Sequence, residues 1–210
     1  MRSPFLIRPL RGLSRIGAAA RCLACVCLLM PGVLRAGGWE TLSGCSLESE
    51  RYFDGDSFHV RSGGREDIFR LYAVDAPETD NKFPHRIKEQ CKYFRVGMKV
   101  LLAGGLEAKE HAARLLGEPF TVETSWVDAR GNSREPRYFA KITLSDGSDL
   151  GVRLAEAGLA RDYGMREGLD PSYLSRIKQA AQSAKSERRG LWRESSAEPQ
   201  KESSIRKKSQ

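Results

Sequence analysis

From Arg51 to Ala73 the chain reads as short segments of alternating apolar and polar side chains punctuated by turns. Phe58 and Val60 alternate with His59 and Arg61, Asp54-Gly55 and Gly63-Gly64 stand at turns, and Ile68 to Val74 reads as the next strand. In that strand Phe69, Leu71 and Ala73 share one face, Arg70 and Tyr72 the other. Asp75 to Pro84 is a loop. Ile87, Cys91, Phe94, Met98 and Leu101 then recur at helical spacing, Gly104-Gly105 breaks the pattern, and Leu106 to Leu116 supports a second helix. Strands are expected at Phe120 to Val127 and Arg137 to Leu144, around the turn at 128–132. A short helix follows at Leu150 to Ala157, and Asp170-Pro171 caps a longer one ending near Gly190. Short strands with a few packed helices predict a mainly β, α+β domain, such as a small barrel. With 40% hydrophobic and 30% charged residues in 210, disordered, fibrous and multi-pass membrane classes are excluded.

The formal charge of +8 suggests a polyanion partner until it is divided by region. Residues 1–36 hold six arginines and no acid, and the tail 195–210 adds a net two, so residues 37–194 carry no net charge. Any nucleic-acid reading rests on where particular charges sit. The first 36 residues join an Arg-studded stretch to the apolar run Cys22 to Met30, followed by Pro31 and small residues, the pattern of a secretory signal peptide. An uncleaved anchor or a transit peptide are the rival readings. The expected division is an export segment at 1–36, one domain at 37–194 and a disordered Ser, Lys and Glu-rich tail at 195–210. Three of five cysteines lie in the apolar run. Cys45 and Cys91 remain, either as a disulfide worth roughly 3 to 4 kcal/mol in the chain-entropy picture or as two separate thiols.

The chemistry concentrates within 25 residues. Asp54-Gly-Asp56-Ser57, Arg70 on a strand and Asp75-Ala-Pro-Glu78 in the loop after it bring carboxylates and a guanidinium to one end of a sheet. Hard divalent cations take oxygen ligands, so Asp56 and Asp75 could hold Ca²⁺ or Mg²⁺ with water completing the shell. Arginine suits phosphate oxygens because its planar fork stays charged.

Together, Phe53-Asp-Gly-Asp-Ser57, Phe69-Arg-Leu-Tyr-Ala-Val-Asp-Ala-Pro-Glu-Thr79, Pro136-Arg-Tyr-Phe-Ala140, Leu154-Ala-Glu-Ala-Gly-Leu-Ala160 and Gly190-Leu-Trp192 resemble the staphylococcal-nuclease-like (thermonuclease) family, over about residues 48 to 193. The resemblance implies a five-stranded OB-fold barrel with packed helices and Ca²⁺-dependent endonuclease cleavage of DNA or RNA. It matches Asp56 and Asp75 to the metal carboxylates, Glu78 to the residue activating water, and Arg70 and Arg137 to the phosphate-binding arginines. A monomer with no obligate protein partner is expected, in contact with a membrane only if the N-terminal segment stays uncleaved.

The chain departs from the family pattern in places. Ala76 stands where Thr is common, a contact expected through the backbone carbonyl. Glu135 occupies an aromatic position and cannot stack a base, so Tyr163 is expected to stack from the opposite wall and Arg134 to touch a terminal phosphate. Residues 84–105 suggest an extra helix of no assigned role. The rival to a nuclease is a catalytically inactive OB-type module that retains single strands in a groove.

Overall fold

The structure, a computed structural model, describes residues 38–196 except 50, 52 and 132. The expected export segment and most of the expected tail lie outside these described residues. The chain runs β1 (Glu40–Leu47), β2 (Ser57–Ser62), β3 (Arg65–Leu71), β4 (Val74–Asp75), α1 (Pro84–Phe94), α2 (Met98–Leu115), β5 (Phe120–Asp128), β6 (Tyr138–Thr143), α3 (Leu150–Glu156), β7 (Arg161–Asp162), α4 (Pro171–Ser186) and a closing 3₁₀ turn (Gly190–Arg193). Strands β1, β2, β3, β6 and β5 close into a barrel, all antiparallel except the parallel β3–β6 pair. Closure leaves that sheet no open edge to template further pairing. This is the five-stranded barrel with packed helices that the motifs imply. Phe58, Val60, Phe69, Leu71, Val122, Ala140 and Ile142 fill it, and Leu150, Leu154 and Ile177 of α3 and α4 extend the same core. Asp149 and Asp170 cap α3 and α4, accepting from the Val152 and Ser172 amides.

Four local readings of the sequence are corrected. Strand β1 was not expected, because an irregularity in its pairing between Leu42 and Cys45 breaks the alternation. The strand expected through Val74 stops at Leu71. Tyr72 is fully buried, stacked on Phe139 and hydrogen-bonded to Ser125, and Ala73 takes a left-handed φ of 58°. That reversal sends the chain out of the barrel to pair as β4 with β7. Asp54-Gly55 is not a hairpin turn: Asp54 Oδ1 accepts from the amides of Asp56 and Ser57, and Gly55 is small because an added Cβ would lie 2.6 Å from that of Ala76.

The fourth correction concerns the helices. Their break falls at Arg95 (φ 58°) to Gly97, and α2 runs straight through Gly104 and Gly105. These glycines permit contact instead of ending the helix. A Cβ at Gly105 would sit 2.2 Å from the Glu78 carbonyl oxygen, and one at Gly104 2.5 Å from Leu191. Gly105→Ala should therefore destabilise the protein by about 1–3 kcal/mol, overpacking outweighing the gain in helix propensity. Urea unfolding checks this, and a variant as stable as the wild type would show that the 76–80 loop moves aside freely.

Helix α1 packs through a second, smaller core. Ile87, Phe94, Leu101, Ala184, Leu191 and Trp192 bury one another, with the Phe94 and Trp192 rings 5.1 Å apart. Among the described residues no helix is long and apolar enough to cross a membrane. Cys45 and Cys91 are free thiols, which corrects the bridged alternative. Cys45 belongs to the barrel core and its thiol donates to the Leu42 carbonyl at 3.2 Å, whereas Cys91 packs against the second core.

Candidate active site

The β2–β3 register assembles the first half of the site. Ser57 pairs with Arg70 across the hairpin, so the Arg70 guanidinium reaches the neighbouring Asp56 and grips both its oxygens, Nη1 to Oδ1 at 2.9 Å and Nη2 to Oδ2 at 3.0 Å. The Ser57 hydroxyl and the Ala76 amide also donate to Asp56, at 3.1 and 2.9 Å. The turn at Ala73 supplies the second half by swinging Asp75 back toward Arg70, which donates to its Oδ1 at 2.8 Å. Arg137, just before β6, reaches the same end of the barrel because β6 runs parallel beside β3. Its guanidinium is anchored by the Ala129 carbonyl at 2.9 Å and the Ser57 hydroxyl at 3.2 Å.

Asp56, Arg70, Glu78 and Arg137 thus line one cavity of about 450 Å³, and Asp75 backs it. Asp75 is 0% exposed and is the electrostatic hub. Arg70 and Arg86 (2.7 Å) donate to its Oδ1, Gln90 (2.9 Å) and Arg161 (2.8 Å) to its Oδ2.

Helix α1 provides what the sequence reading missed. Arg86 and Gln90, four residues apart, lie on one face of the helix that sequence left without a role. Gln90 accepts from the Glu78 amide at 3.0 Å and donates to the Ala76 carbonyl at 2.9 Å as well as to Asp75. Arg86 Nε holds Glu78 Oε1 at 2.5 Å. The i,i+4 spacing of two long polar side chains among Ile87, Cys91 and Phe94 was the available signal; that they point at Asp75 is a fact of packing. Arg161 was equally invisible. It is buried, its Nη2 has no hydrogen-bond partner, and its guanidinium lies 4.0 Å from the centre of the Tyr163 ring.

The two buried acids titrate in opposite directions. Burial pushes Asp56 up to about 7, Asp54 and Asp75 adding to the rise and Arg70 opposing it. Burial also acts to raise Asp75, but Arg70, Arg86, Arg161 and Gln90 outweigh it and hold Asp75 below the ordinary carboxylate range. Burial lowers Arg137, reinforced by the nearby Arg70.

Two residues expected to contact substrate lie outside the cavity lining. Tyr163 does not line the cavity, and one face of its ring packs on the Arg161 guanidinium. Arg134 is exposed and outside the lining, although Ser133 and Arg137 belong to it. Glu135 faces outward, 3.7 Å from Arg51. The Ala76 carbonyl is engaged by Gln90.

Whether the site suits a cation is decided by its donors. Among the described residues no three acidic, His or Cys side chains converge to hold a metal. Two carboxylates do converge: Asp56 and Asp75 already close on a single positive charge, the Arg70 guanidinium. Oxygen-only donors around one cationic position fit a hard divalent ion that keeps several waters, provided Arg70 or Arg86 yields a carboxylate oxygen.

No curated protein matches the chain. The family model described as staphylococcal nuclease homologue matches residues 68–194, from β3 to the closing turn, which includes Arg70, Asp75, Glu78 and Arg137 and leaves Asp56 just outside. Matched over more than half its length and built on the closed barrel with its arginine and carboxylate cluster, the chain belongs to the staphylococcal nuclease homologue family, whose members are generally nucleases or phosphodiesterases and typically depend on Ca²⁺.

Proposed function

We propose that this chain is an exported Ca²⁺-dependent endonuclease that hydrolyses phosphodiester bonds of single-stranded or frayed DNA and RNA. The observation that carries the reading is the convergence of Asp56, Arg70, Glu78 and Arg137 on one cavity backed by the Asp75 carboxylate. The N-terminal sequence supports export.

In-line attack of water on phosphorus builds negative charge on the nonbridging oxygens. Arg70 and Arg137 donate to those oxygens, and their hydrogen bonds strengthen as the charge grows, which lowers the barrier more than it favours ground-state binding. Glu78, oriented by Arg86 and by the Gln90 bond to its amide, accepts the water proton as the new P–O bond forms. The opposite P–O bond breaks, and the departing alkoxide takes a proton from solvent. Asp56 and Asp75 would hold the cation, which when bound offsets the repulsion between three carboxylates and an anionic substrate and adds electrostatic stabilisation.

Cleavage of a single-stranded oligonucleotide should stop in EGTA and return with added Ca²⁺. Undiminished cutting in chelator would overturn the metal requirement. The saturation of Asp56 and Asp75 by protein donors favours the second reading, a binding module. Tight retention of an uncut strand with or without Ca²⁺ would decide for that alternative.

A further inference from the structure

Most residues lining the cavity are polar or charged, and Phe83 is the one aromatic side chain among its described lining residues. Phe83 is 47% exposed and belongs to neither core cluster, so the barrel gains little by its presence. Its position is nevertheless fixed. It stands immediately before Pro84, which restricts its backbone, and its carbonyl accepts from the Ile87 amide at 3.1 Å in the first turn of α1. Helix α1 is itself pinned, by the Gln90 bonds to Asp75, Ala76 and Glu78 and by the Phe94 and Trp192 packing.

A water-exposed ring on a fixed stretch of backbone therefore shares a cavity with Arg70, Arg86 and Arg137. A nucleotide presents the complementary pair of surfaces, an anionic phosphate and a flat base. The other aromatic candidate, Tyr163, lies outside the cavity lining and packs one ring face on Arg161, and position 135 is a glutamate turned toward Arg51.

Resting on the nuclease reading, we propose that Phe83 is the base-stacking residue of this site and selects substrates in which the base beside the scissile phosphate is already unstacked. Every base has a π-face, so this contact discriminates single strands from duplex without reading sequence. Phe83 is a specificity-determining residue, acting on binding and not on the proton transfer at Glu78.

The test uses a single-stranded oligonucleotide with one cleavable linkage, flanked by either a normal nucleotide or an abasic one. For the normal substrate, Phe83→Ala should raise KM about 5- to 150-fold with kcat within a few-fold of wild type, the worth of one stacked base. The abasic substrate should be cleaved by wild type and Phe83→Ala with the same KM. Phe83→Trp should restore the wild-type KM, and Phe83→Leu, apolar but not planar, should not. Equal losses on both substrates, or rescue by Leu as good as by Trp, would refute the proposal. Thermal unfolding midpoints should be unchanged, because Phe83 belongs to neither core. Fluorescence anisotropy of the same oligonucleotides in EGTA separates the two hypotheses. If nothing is cleaved, the nuclease reading fails, yet a tighter Kd for the base-bearing strand that Phe83→Ala abolishes still supports stacking, and its absence overturns it.

Discussion

Replacing Glu78 with Gln should lower kcat for phosphodiester cleavage about 10²- to 10⁴-fold, the usual contribution of a positioned general base. The substitution is chosen for what it keeps. A glutamine Oε1 still accepts from Arg86 Nε, and the backbone amide of residue 78 still donates to Gln90, so the loop and the third guanidinium hold their places. The ability to take a proton from water is lost, together with the charge that pairs with Arg86. Affinity for an uncleaved oligonucleotide, measured by anisotropy in EGTA, should change no more than a few-fold, and the urea midpoint should stay close to wild type. A kcat reduced less than 10-fold would assign the proton to another group, and an equal weakening of binding would mean that Glu78 shapes the cavity instead of acting on water.

The largest effect on stability is expected at Asp75. Asp75→Asn should cost about 3–5 kcal/mol, because removing one partner of a buried ion pair strands the others. Here three guanidiniums would lose the acid they share, leaving each with one carboxylate: Asp56 for Arg70, Glu78 for Arg86 and Glu89 for Arg161. The asparagine cannot replace the acid by rotating: either orientation turns its NH₂ toward two donors, Arg70 and Arg86 on one side or Gln90 and Arg161 on the other. Arg161 is the most sensitive to this loss, since it is buried, its Nη2 already has no hydrogen-bond partner, and Glu89 would be its one remaining acid. Urea denaturation with an unchanged slope would isolate the effect on the native state. The sign with pH is fixed by the lowered pKa. Asp75 contributes its stability above the ordinary carboxylate range and loses it as pH falls through the lowered folded value, so the gap between wild type and variant should narrow in acid. A cost under 1 kcal/mol at neutral pH would show that the three arginines find solvent or other acids without Asp75.

Much of this site was legible before folding. Asp56, Arg70, Asp75 and Glu78 fall within 23 consecutive positions, and one hairpin brings the first two together because Ser57 and Arg70 are register partners. Alternation at 57–71 and 120–143 marked four of the five barrel strands, and the Asp caps marked α3 and α4. The fifth strand escaped because a pairing irregularity removed its periodicity. Glycine was the most misleading residue. Gly55 and Gly104-Gly105 read as turn and helix breaker, whereas each is small so that another segment can approach: Ala76 and Ala108 in one case, the Glu78 loop and Leu191 in the other. A one-dimensional pattern records that a side chain is missing without recording what occupies the space.

The sequence by itself determined the local chemistry: which strands alternate, where helices begin, and that carboxylates and an arginine lie close along the chain. Those follow from interactions between residues a few positions apart, which spacing encodes. Tertiary structure alone decided that Asp75 carries three guanidiniums and an amide, that the helix at 84–94 holds Glu78, and that Phe83 instead of Tyr163 faces the cavity. Arg161 is 86 residues from the acid it neutralises. Contacts of that kind arise when separate elements bury apolar faces against one another, as α1 does against Leu191 and Trp192, and the polar side chains they carry are then brought to partners that no local rule names.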